Sequence, residues 1–195
     1  LDRPTAAAAS IRQTGVAQRV VTVPVGDPQS FQLDLFQLEA IAEVDAGRSV
    51  LVAAPTGSGK TVVADAAIDM ALHAGGKTFY TTPIKALSNQ KYSDLTARLG
   101  AERVGLLTGD TAINGDAPVV VMTTEVLRNM LYAGSGALND LHVVVLDEVH
   151  YLQDAYRGPV WEEVIIGLPL NVQLVCLSAT VSNAGELGEW ISTVR

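Results

Sequence analysis

The sequence SVLVAAPTGSGKT, residues 49–61, predicts how this chain folds. It begins as a short apolar, β-branched run that is typical of a buried strand, and it then passes through a turn rich in glycine. The segment that follows has helical period, because apolar residues recur about one turn apart between Val62 and His73. The pair Gly75–Gly76 supplies a stop signal. The stretch therefore predicts a strand, a tight loop and a helix in direct succession.

The alternation of strand and helix continues along the chain. A second segment of helical period spans 84–100 and ends at Gly100. Besides 49–54, short β-branched or aromatic runs occur at 77–82, 103–108, 118–123, 142–147 and 172–178. Strands buried on both faces that alternate with helices are typical of βαβ units around a parallel sheet. We predict an α/β fold with helices on both faces of one parallel sheet.

The domain organisation is predicted to be simple. Residues 1–24 show no sustained period and are interpreted as a poorly structured lead-in, although RVVTVPV (19–25) could pair as an edge strand. Residues 25–195 contain no internal repeat and no low-complexity linker, so they are predicted to form a single domain.

Composition excludes several classes of protein. Apolar residues make up 48% of the 195 residues, which suits a globular chain and not a disordered one. No apolar run approaches the roughly 18 residues of a membrane span, and the start LDRPTAAAAS lacks the order of a signal peptide. The single cysteine, Cys176, cannot form an internal disulfide and is predicted to be a buried core residue. These features predict a protein of the reducing cytoplasm.

The net charge of −8 limits how the chain could bind nucleic acid. It argues against a protein that works through a broad basic face. It allows one that contacts phosphates through backbone amides and a few side chains.

The turn in APTGSGKT, residues 54–61, has the composition of a phosphate-binding loop. Gly57 and Gly59 let the backbone wrap closely, so that N–H groups and the N-terminus of the following helix face phosphate oxygens. Lys60 is predicted to reach the β- and γ-phosphates of ATP, and the Thr61 hydroxyl is predicted to bind Mg²⁺. Only the first residue departs from the strict pattern, which has glycine there. The predicted nucleotide-binding residues of the loop are Pro55, Thr56, Gly57, Ser58, Gly59, Lys60 and Thr61.

A later strand ends in adjacent carboxylates, within VVVLDEVHYL (143–152). Charged side chains at the end of a buried strand cost desolvation free energy unless a partner compensates. In a phosphate-loop enzyme that partner is magnesium, held by Asp147 partly through water, while Glu148 polarises the attacking water as general base. A lone histidine at position 150 is more often structural. In the string Asp-Glu-Val-His, we interpret His150 as a catalytic residue that senses the γ-phosphate.

Small polar residues follow four strands, in the segments 81–91, 108–110, 123–130 and 178–180. Each segment alone is ordinary turn or N-cap chemistry. Four of them along one sheet edge, beside a phosphate loop, predict a track of hydroxyl groups and helix N-termini for a phosphodiester backbone. Lysine and arginine at positions 85 and 128 add local positive charge, so the track does not require a positive net charge.

Several of these segments also carry a family resemblance. APTGSGKT, TTPIKALSNQKY, GLLTGD, VVMTTEVLRNMLY, DEVHYLQDAYRGPVWEEVI and LSATVSNAGELGEWI come in the order found in superfamily-two helicases. In detail the chain resembles the antiviral, or superkiller, DExH-box RNA helicases, the group that includes exosome-associated helicases. The resemblance covers about residue 31 to the end. It implies a RecA-like fold, ATP and Mg²⁺ as cofactors, and unwinding of and translocation on RNA.

The resemblance assigns roles that spacing alone could not. FQLDLFQ (31–37) matches the family's adenine-recognition stretch, which implies that Phe31 stacks on the base and Gln37 bonds to its edge. From the residues alone, Phe31 is equally well a core residue that leads an amphipathic helix. Ser178 and Thr180 are implied to couple hydrolysis to movement. The implied contacts with single-stranded RNA are Pro83, Lys85, Ser88, Asn89, Thr108, Gly109, Thr123, Thr124, Glu125 and Arg128.

Two expectations concern parts of the family pattern outside the nucleotide loop. The block YRGPVWEE (156–163) is assigned mainly to packing, with Trp161 in the core. Family members continue into a second RecA-like domain that carries arginine fingers, and this chain reaches only Arg195. We therefore expect residues 1–195 alone to bind Mg-nucleotide weakly and to hydrolyse ATP barely above background.

Two other functions stay open at this point. The first is a DNA helicase or translocase, because nothing in the sequence reads a 2′-hydroxyl. The second is a nucleotide-dependent nucleic-acid-binding module without turnover. Unwinding of matched RNA and DNA duplexes separates the first from an RNA helicase, and a turnover assay separates the second. The sequence does not determine the oligomeric state.

Overall fold

Residues 33–180 and 183–195 are described by the computed structural model of this chain. Their strands form one sheet. The strands are β1 (Val50–Ala53), β2 (Lys77–Thr82), β3 (Val104–Leu107), β4 (Ala112–Ile113), β5 (Val119–Thr123), β6 (Leu141–Leu146) and β7 (Gln173–Ser178). The helices are α1 (Leu35–Asp45), α2 (Thr61–His73), α3 (Lys85–Leu99), α4 (Thr124–Tyr132), α5 (Gly158–Gly167) and α6 (Ala184–Val194). Short 3₁₀ helices span Gly136–Leu138 and Val149–Gln153.

The strand order across the sheet is β1-β7-β6-β2-β5-β3-β4. All neighbouring strands pair in parallel except β3 and β4, which are antiparallel. The six runs predicted from the sequence are the six parallel strands, so the predicted parallel α/β sheet is confirmed. The prediction missed β4, because this two-residue strand is exposed and lacks an apolar run. The β4 segment approaches β3 so closely that a side chain at Gly105, in β3, would collide with the carbonyl of Asn114, which directly follows β4.

Helices cover both faces of the sheet, as predicted. In β6, Val144 and Leu146 belong to a core shared with α4, α5 and α6, whereas Val143 and Val145 belong to a core shared with α1, α2 and α3. Because both faces of the strand are buried, its sequence is a continuous apolar run and not an alternating one. The carboxyl ends of the parallel strands thus lie together at one edge of a sheet that is packed on both faces.

Two predicted core residues lie in the core beside α5 and α6. Trp161 is fully buried, which confirms its assignment to packing. Cys176 is also buried, and burial raises the pKa of its thiol to about 12. The thiol is therefore an inert packing group, as the sequence indicated.

Some sequence-based predictions lie outside the described residues. These are the lead-in at 1–24, the edge strand at 19–25 and the stacking role of Phe31. Within the described ranges, no helix combines the length and apolar character needed to cross a bilayer.

Candidate nucleotide and nucleic-acid site

The predicted catalytic segments meet at the carboxyl edge of the sheet. β7 lies between β1, which leads into the phosphate loop, and β6, which leads into the carboxylates. The backbone N–H of Ala54 donates to the Ser178 carbonyl at 3.2 Å, so the start of the phosphate loop is bonded to the end of β7. Ligands of open parallel α/β sheets bind at this edge.

The phosphate loop has the backbone shape that its glycines predict. Gly57 and Gly59 have φ angles of +83° and +79°, values that L side chains rarely adopt. The Lys60 ammonium donates to the carbonyls of Ala54 at 2.7 Å and Pro55 at 2.9 Å, so its charge lies against its own loop. Helix α2 begins immediately afterwards at Thr61, which points its N-terminus toward the loop.

Gln37 lies on α1 and is almost fully buried against the phosphate loop. Its amide nitrogen donates to the Gly59 carbonyl at 2.9 Å, and its amide oxygen accepts the backbone N–H of Asp34 at 2.8 Å. A Cβ atom at Gly59 would lie 2.5 Å from that nitrogen, so this glycine is also required by close packing. Both polar atoms of the Gln37 side chain are thus engaged within the protein. The contact with adenine stays a prediction.

Asp147 directly follows β6, and the structure holds its carboxylate at both oxygens. The backbone N–H of Glu148 donates to Oδ1 at 2.9 Å, and the Tyr80 hydroxyl donates to Oδ2 at 2.8 Å. Burial, together with the neighbouring charge of Asp147, raises the pKa of the Tyr80 phenol well above its ordinary value. The phenol therefore remains a hydrogen-bond donor at neutral pH.

Glu148 has a backbone conformation that side chains rarely adopt. Its φ and ψ angles are 54° and 41°, in the left-handed region, and Asn114 is the only other non-glycine residue with positive φ among those described. Such strain costs on the order of 1–3 kcal/mol and is concentrated at functional sites. This left-handed conformation turns the chain sharply from β6 into the 3₁₀ helix Val149–Gln153.

His150 lies between the carboxylates and the end of β7. Its Nδ1 atom is 3.2 Å from a Glu148 carboxylate oxygen and 3.5 Å from the backbone nitrogen of Ala179. The same nitrogen cannot donate to the first and accept from the second, and the shorter distance favours the bond to Glu148. His150 thus lies within contact distance of both segments.

The Ser-Ala-Thr segment that follows β7 combines a buried and an exposed residue. Ser178 is fully buried and its hydroxyl donates to the Ala179 carbonyl at 2.8 Å, whereas Thr180 is exposed. The segment therefore contacts the phosphate loop through the Ser178 carbonyl and faces His150 through Ala179.

The residues present fit a magnesium ion that is bound together with a nucleotide. Hydroxyl and carboxylate oxygens, as on Thr61 and Asp147, are ligands that Mg²⁺ prefers. No cluster of three or more His, Cys, Asp or Glu that could hold a metal exists in the described ranges. Mg²⁺ commonly completes its shell with water and substrate phosphates, which suits a site with so few protein ligands.

A cleft of about 530 Å³ opens at the ends of β2, β3 and β5. Half of the predicted nucleic-acid contacts line it, and they come from three separate segments of the chain. The residues that line the cleft are Pro83, Ile84, Lys85, Gly109, Asp110, Thr123, Glu125, Val126, Asn129 and Arg157.

Two of the predicted contacts lie in the interior and not in the cleft. Ser88 and Thr124 are fully buried. The Ser88 hydroxyl bonds to the Thr82 hydroxyl at 2.7 Å, and the Thr124 hydroxyl donates to the Thr82 carbonyl at 3.2 Å. Their side chains brace the turn after β2, so their hydroxyl groups do not face the cleft, and the contact of these two residues with a nucleic-acid strand stays a prediction.

The other predicted contacts differ in accessibility. Thr108 is nearly buried and its hydroxyl donates to Asp110 at 3.0 Å. Asn89 is exposed on α3. Arg128 is partly buried on α4, 3.8 Å from a Glu163 oxygen, and does not line the cleft.

Two charged residues of the cleft were not singled out as contacts from the sequence, although Asp110 lies in the predicted segment 108–110. Asp110 accepts hydrogen bonds from Lys85, which, with a bond from Thr108, lower the pKa of its carboxyl. Arg157, in the block assigned to packing, lines the same cleft and lies over the Tyr151 ring at 5.3 Å. An arginine directly before a helix that begins with Gly-Pro was the available signal for an exposed arginine at this edge.

Comparisons with known proteins agree with this geometry. Residues 34–187 match the DEAD/DEAH box helicase family. The chain is 67% identical over 165 residues to the probable helicase HelY of Mycobacterium leprae, covering 85% of this chain and 18% of that protein. It is 54% identical to the DExH-box ATP-dependent RNA helicase DExH15, chloroplastic, of Arabidopsis thaliana, covering 85% and 15%. It is 52% identical to the antiviral helicase SKI2 of Saccharomyces cerevisiae, covering 85% and 13%.

A solved structure gives the same result for the fold. The structure of Mycobacterium smegmatis helicase Lhr bound to ssDNA and AMP-PNP matches with a TM-score of 0.62 and 31% identity, over 75% of this chain and 22% of that one. The predicted RecA-like fold and the predicted resemblance to superkiller-type helicases are both confirmed. The chain spans less than a fifth of the length of the three relatives described above. By its sequence match and its fold, this chain belongs to the DEAD/DEAH box helicase family.

Proposed function

We propose that residues 25–195 form the first RecA-like, ATP-binding domain of an ATP-dependent RNA helicase. The observation that carries the proposal is the position of Asp147 and Glu148. They follow a strand separated from the phosphate-loop strand by β7 alone, and β7 is bonded to that loop. A phosphate loop and an acidic strand end at one sheet edge are the two parts that nucleotide hydrolysis requires.

Each part of the site has a definite task in this proposal. The loop amides and Lys60 bind the phosphates of ATP, and Thr61 and Asp147 hold the Mg²⁺ that accompanies it. The metal would supply charge neutralisation at the phosphates.

Glu148 accepts a proton from the attacking water in this proposal. His150, bonded to Glu148, responds to the state of the γ-phosphate. Ser178 and Thr180 couple that state to movement.

The cleft lined by Lys85 and Arg157 is the proposed path of the nucleic-acid strand. Its few basic residues suit binding through backbone phosphates, and such binding carries no sequence preference.

RNA is favoured because the plant relative, 54% identical, is named an RNA helicase. DNA is the second candidate, since the Lhr structure was solved with ssDNA. We also propose a cytoplasmic location and a second RecA-like domain as the partner that closes on the strand.

The proposal is tested with a protein that joins this chain to a second RecA-like domain. Phosphate release should rise on addition of single-stranded RNA, and Lys60→Ala should weaken nucleotide binding and abolish release. Matched RNA and DNA duplexes then identify the substrate, and faster unwinding of DNA would overturn the choice of RNA. Residues 1–195 alone should show almost no turnover, because an arginine from the second domain is worth roughly 10³ to 10⁵ in rate.

A further inference from the structure

Tyr80 is a buried residue whose hydroxyl faces the proposed magnesium carboxylate. It lies on β2 and its exposed fraction is 0%. Its hydroxyl donates to Asp147 Oδ2 at 2.8 Å, while the Glu148 N–H donates to Oδ1 at 2.9 Å. Among the described residues, each oxygen of the carboxylate therefore has one donor, and only the tyrosine donor is a side chain that substitution can remove.

The tyrosine ring is fixed on several sides. Tyr80 pairs with Val145 in the register of β2 and β6, and one residue further the Asp147 N–H donates to the Thr81 carbonyl at 3.0 Å. From α3, the Lys91 ammonium lies 5.0 Å from the centre of the ring. The hydroxyl thus has a set position relative to Asp147, which a mobile surface donor would lack.

We propose that Tyr80 is a positioning residue that orients the Asp147 carboxylate toward the Mg²⁺ of a bound nucleotide. This inference rests on the proposed ATP-binding function. A carboxylate turns easily about its last torsion, which has broad, two-fold preferences. A donor on one oxygen fixes the plane of the group and leaves the other lone pairs for water or metal. Loss of such outer partners typically lowers metal affinity or activity by about 10- to 100-fold.

The test measures nucleotide binding and not turnover. An ATP analogue with a fluorescent N-methylanthraniloyl group is titrated into the 195-residue chain at graded Mg²⁺ concentrations and in EDTA. Tyr80→Phe should raise the Mg²⁺ concentration for half-maximal tightening by about ten-fold. The Kd in EDTA should be unchanged, because the phosphate loop is untouched. Tyr92→Phe is the matched control: its ring packs at the same core, and its hydroxyl has no hydrogen bond among the described residues.

Two further variants separate positioning from packing. Tyr80→4-aminophenylalanine keeps an N–H donor and should restore the wild-type Mg²⁺ dependence. In an Asp147→Asn background, Tyr80→Phe should have no additional effect, since it acts through that carboxylate. An unchanged Mg²⁺ dependence in Tyr80→Phe, or an equal loss of affinity in EDTA, would overturn the inference. Failure of the wild-type chain to bind the analogue at any Mg²⁺ concentration would instead overturn the proposed function.

Discussion

The acidic end of β6 and the cleft beside it occupy the same edge of one sheet, yet they are organised in opposite ways. At β6, both oxygens of Asp147 accept protein donors, and the backbone of Glu148 is held in a strained conformation. In the cleft, Lys85 and Asp110 form an ion pair whose side chains are 46% and 67% exposed. An exposed pair of this kind is worth at most about 1 kcal/mol.

The difference fits the ligands proposed for the two regions. Fixed donors around a carboxylate need no rearrangement when charge develops, which is the condition for electrostatic catalysis. An exposed lysine paired with an aspartate must exchange that partner for a phosphate when a strand binds. The β6 end is therefore suited to one small ligand in one geometry, and the cleft to a backbone of any sequence.

The largest expected effect tests the acidic end of β6. In a protein with both RecA-like domains, Glu148→Gln should lower turnover by a hundred-fold or more, because the amide cannot accept the proton of the attacking water. ATP affinity should stay within a few-fold. Steady-state phosphate release and a nucleotide-binding titration measure the two quantities. Glu189→Gln, on the exposed surface of α6, is the control and should retain full activity. Near-normal hydrolysis in Glu148→Gln would mean that another group is the base.

The parts of the molecule that depend on local sequence were predictable. Strands covered on both faces become continuous apolar runs, so β6 and β7 stand out in the sequence. The phosphate loop and the Asp-Glu-Val-His string each lie within eight residues or fewer. The two-residue β4 gives no such signal, since it is formed by pairing with β3 and not by its own composition.

The features that depend on tertiary contacts were not predictable. Tyr80 and Asp147 are 67 residues apart and meet only because β2 pairs with β6. The residue types of Ser88 and Thr124 suggested exposed hydroxyl groups, but both side chains bond to Thr82 inside the fold. Residue type thus indicated which groups gather at this edge, and packing determined which of them face outward.

The next largest effect is expected at Gln37, where one substitution distinguishes support of the phosphate loop from contact with adenine. Gln37→Ala removes the bonds to the Gly59 carbonyl and the Asp34 N–H, so it should loosen the phosphate loop. Loosening of the loop should lower ATP and GTP affinities alike, by about ten-fold, since an unpaired buried group costs 1–3 kcal/mol. The predicted contact with adenine adds a further loss for ATP alone. Competition binding with both nucleotides measures this.

Gln173, the first residue of β7, is the matched control for that variant. It also donates to two carbonyls, those of Val44 at 2.9 Å and Arg48 at 2.7 Å, but it lies at the end of β7 away from the phosphate loop. Gln173→Ala should cost stability without changing nucleotide affinity. A loss in Gln37→Ala confined to ATP would instead establish the predicted contact with adenine.

A smaller effect is expected in the cleft. Arg157→Ala should weaken single-stranded RNA binding several-fold for every sequence tested. The slope of log affinity against log salt should fall by about 0.7, the contribution of one neutralised phosphate on a single strand. Arg48→Ala, which alters an arginine before β1 that pairs with Glu43, is the control and should leave the slope unchanged. An Arg157 effect on one sequence only would indicate base contacts and a different binding surface.

The smallest expected effect is a gain in RNA affinity, whereas the other variants lose activity or affinity. Asp110→Asn removes the carboxylate that neutralises Lys85 but keeps an oxygen that can accept the Thr108 hydroxyl, now 3.0 Å from Asp110. Lys85 then becomes free for a phosphate, and RNA affinity at low salt should rise about two- to three-fold, within the range of a surface ion pair. The gain should fade as salt screens the charges. Asp116→Asn, an exposed acid outside the cleft lining, controls for net charge alone. Equal gains in the two variants would mean that Lys85 is not the group released, and that the cleft binds through other contacts.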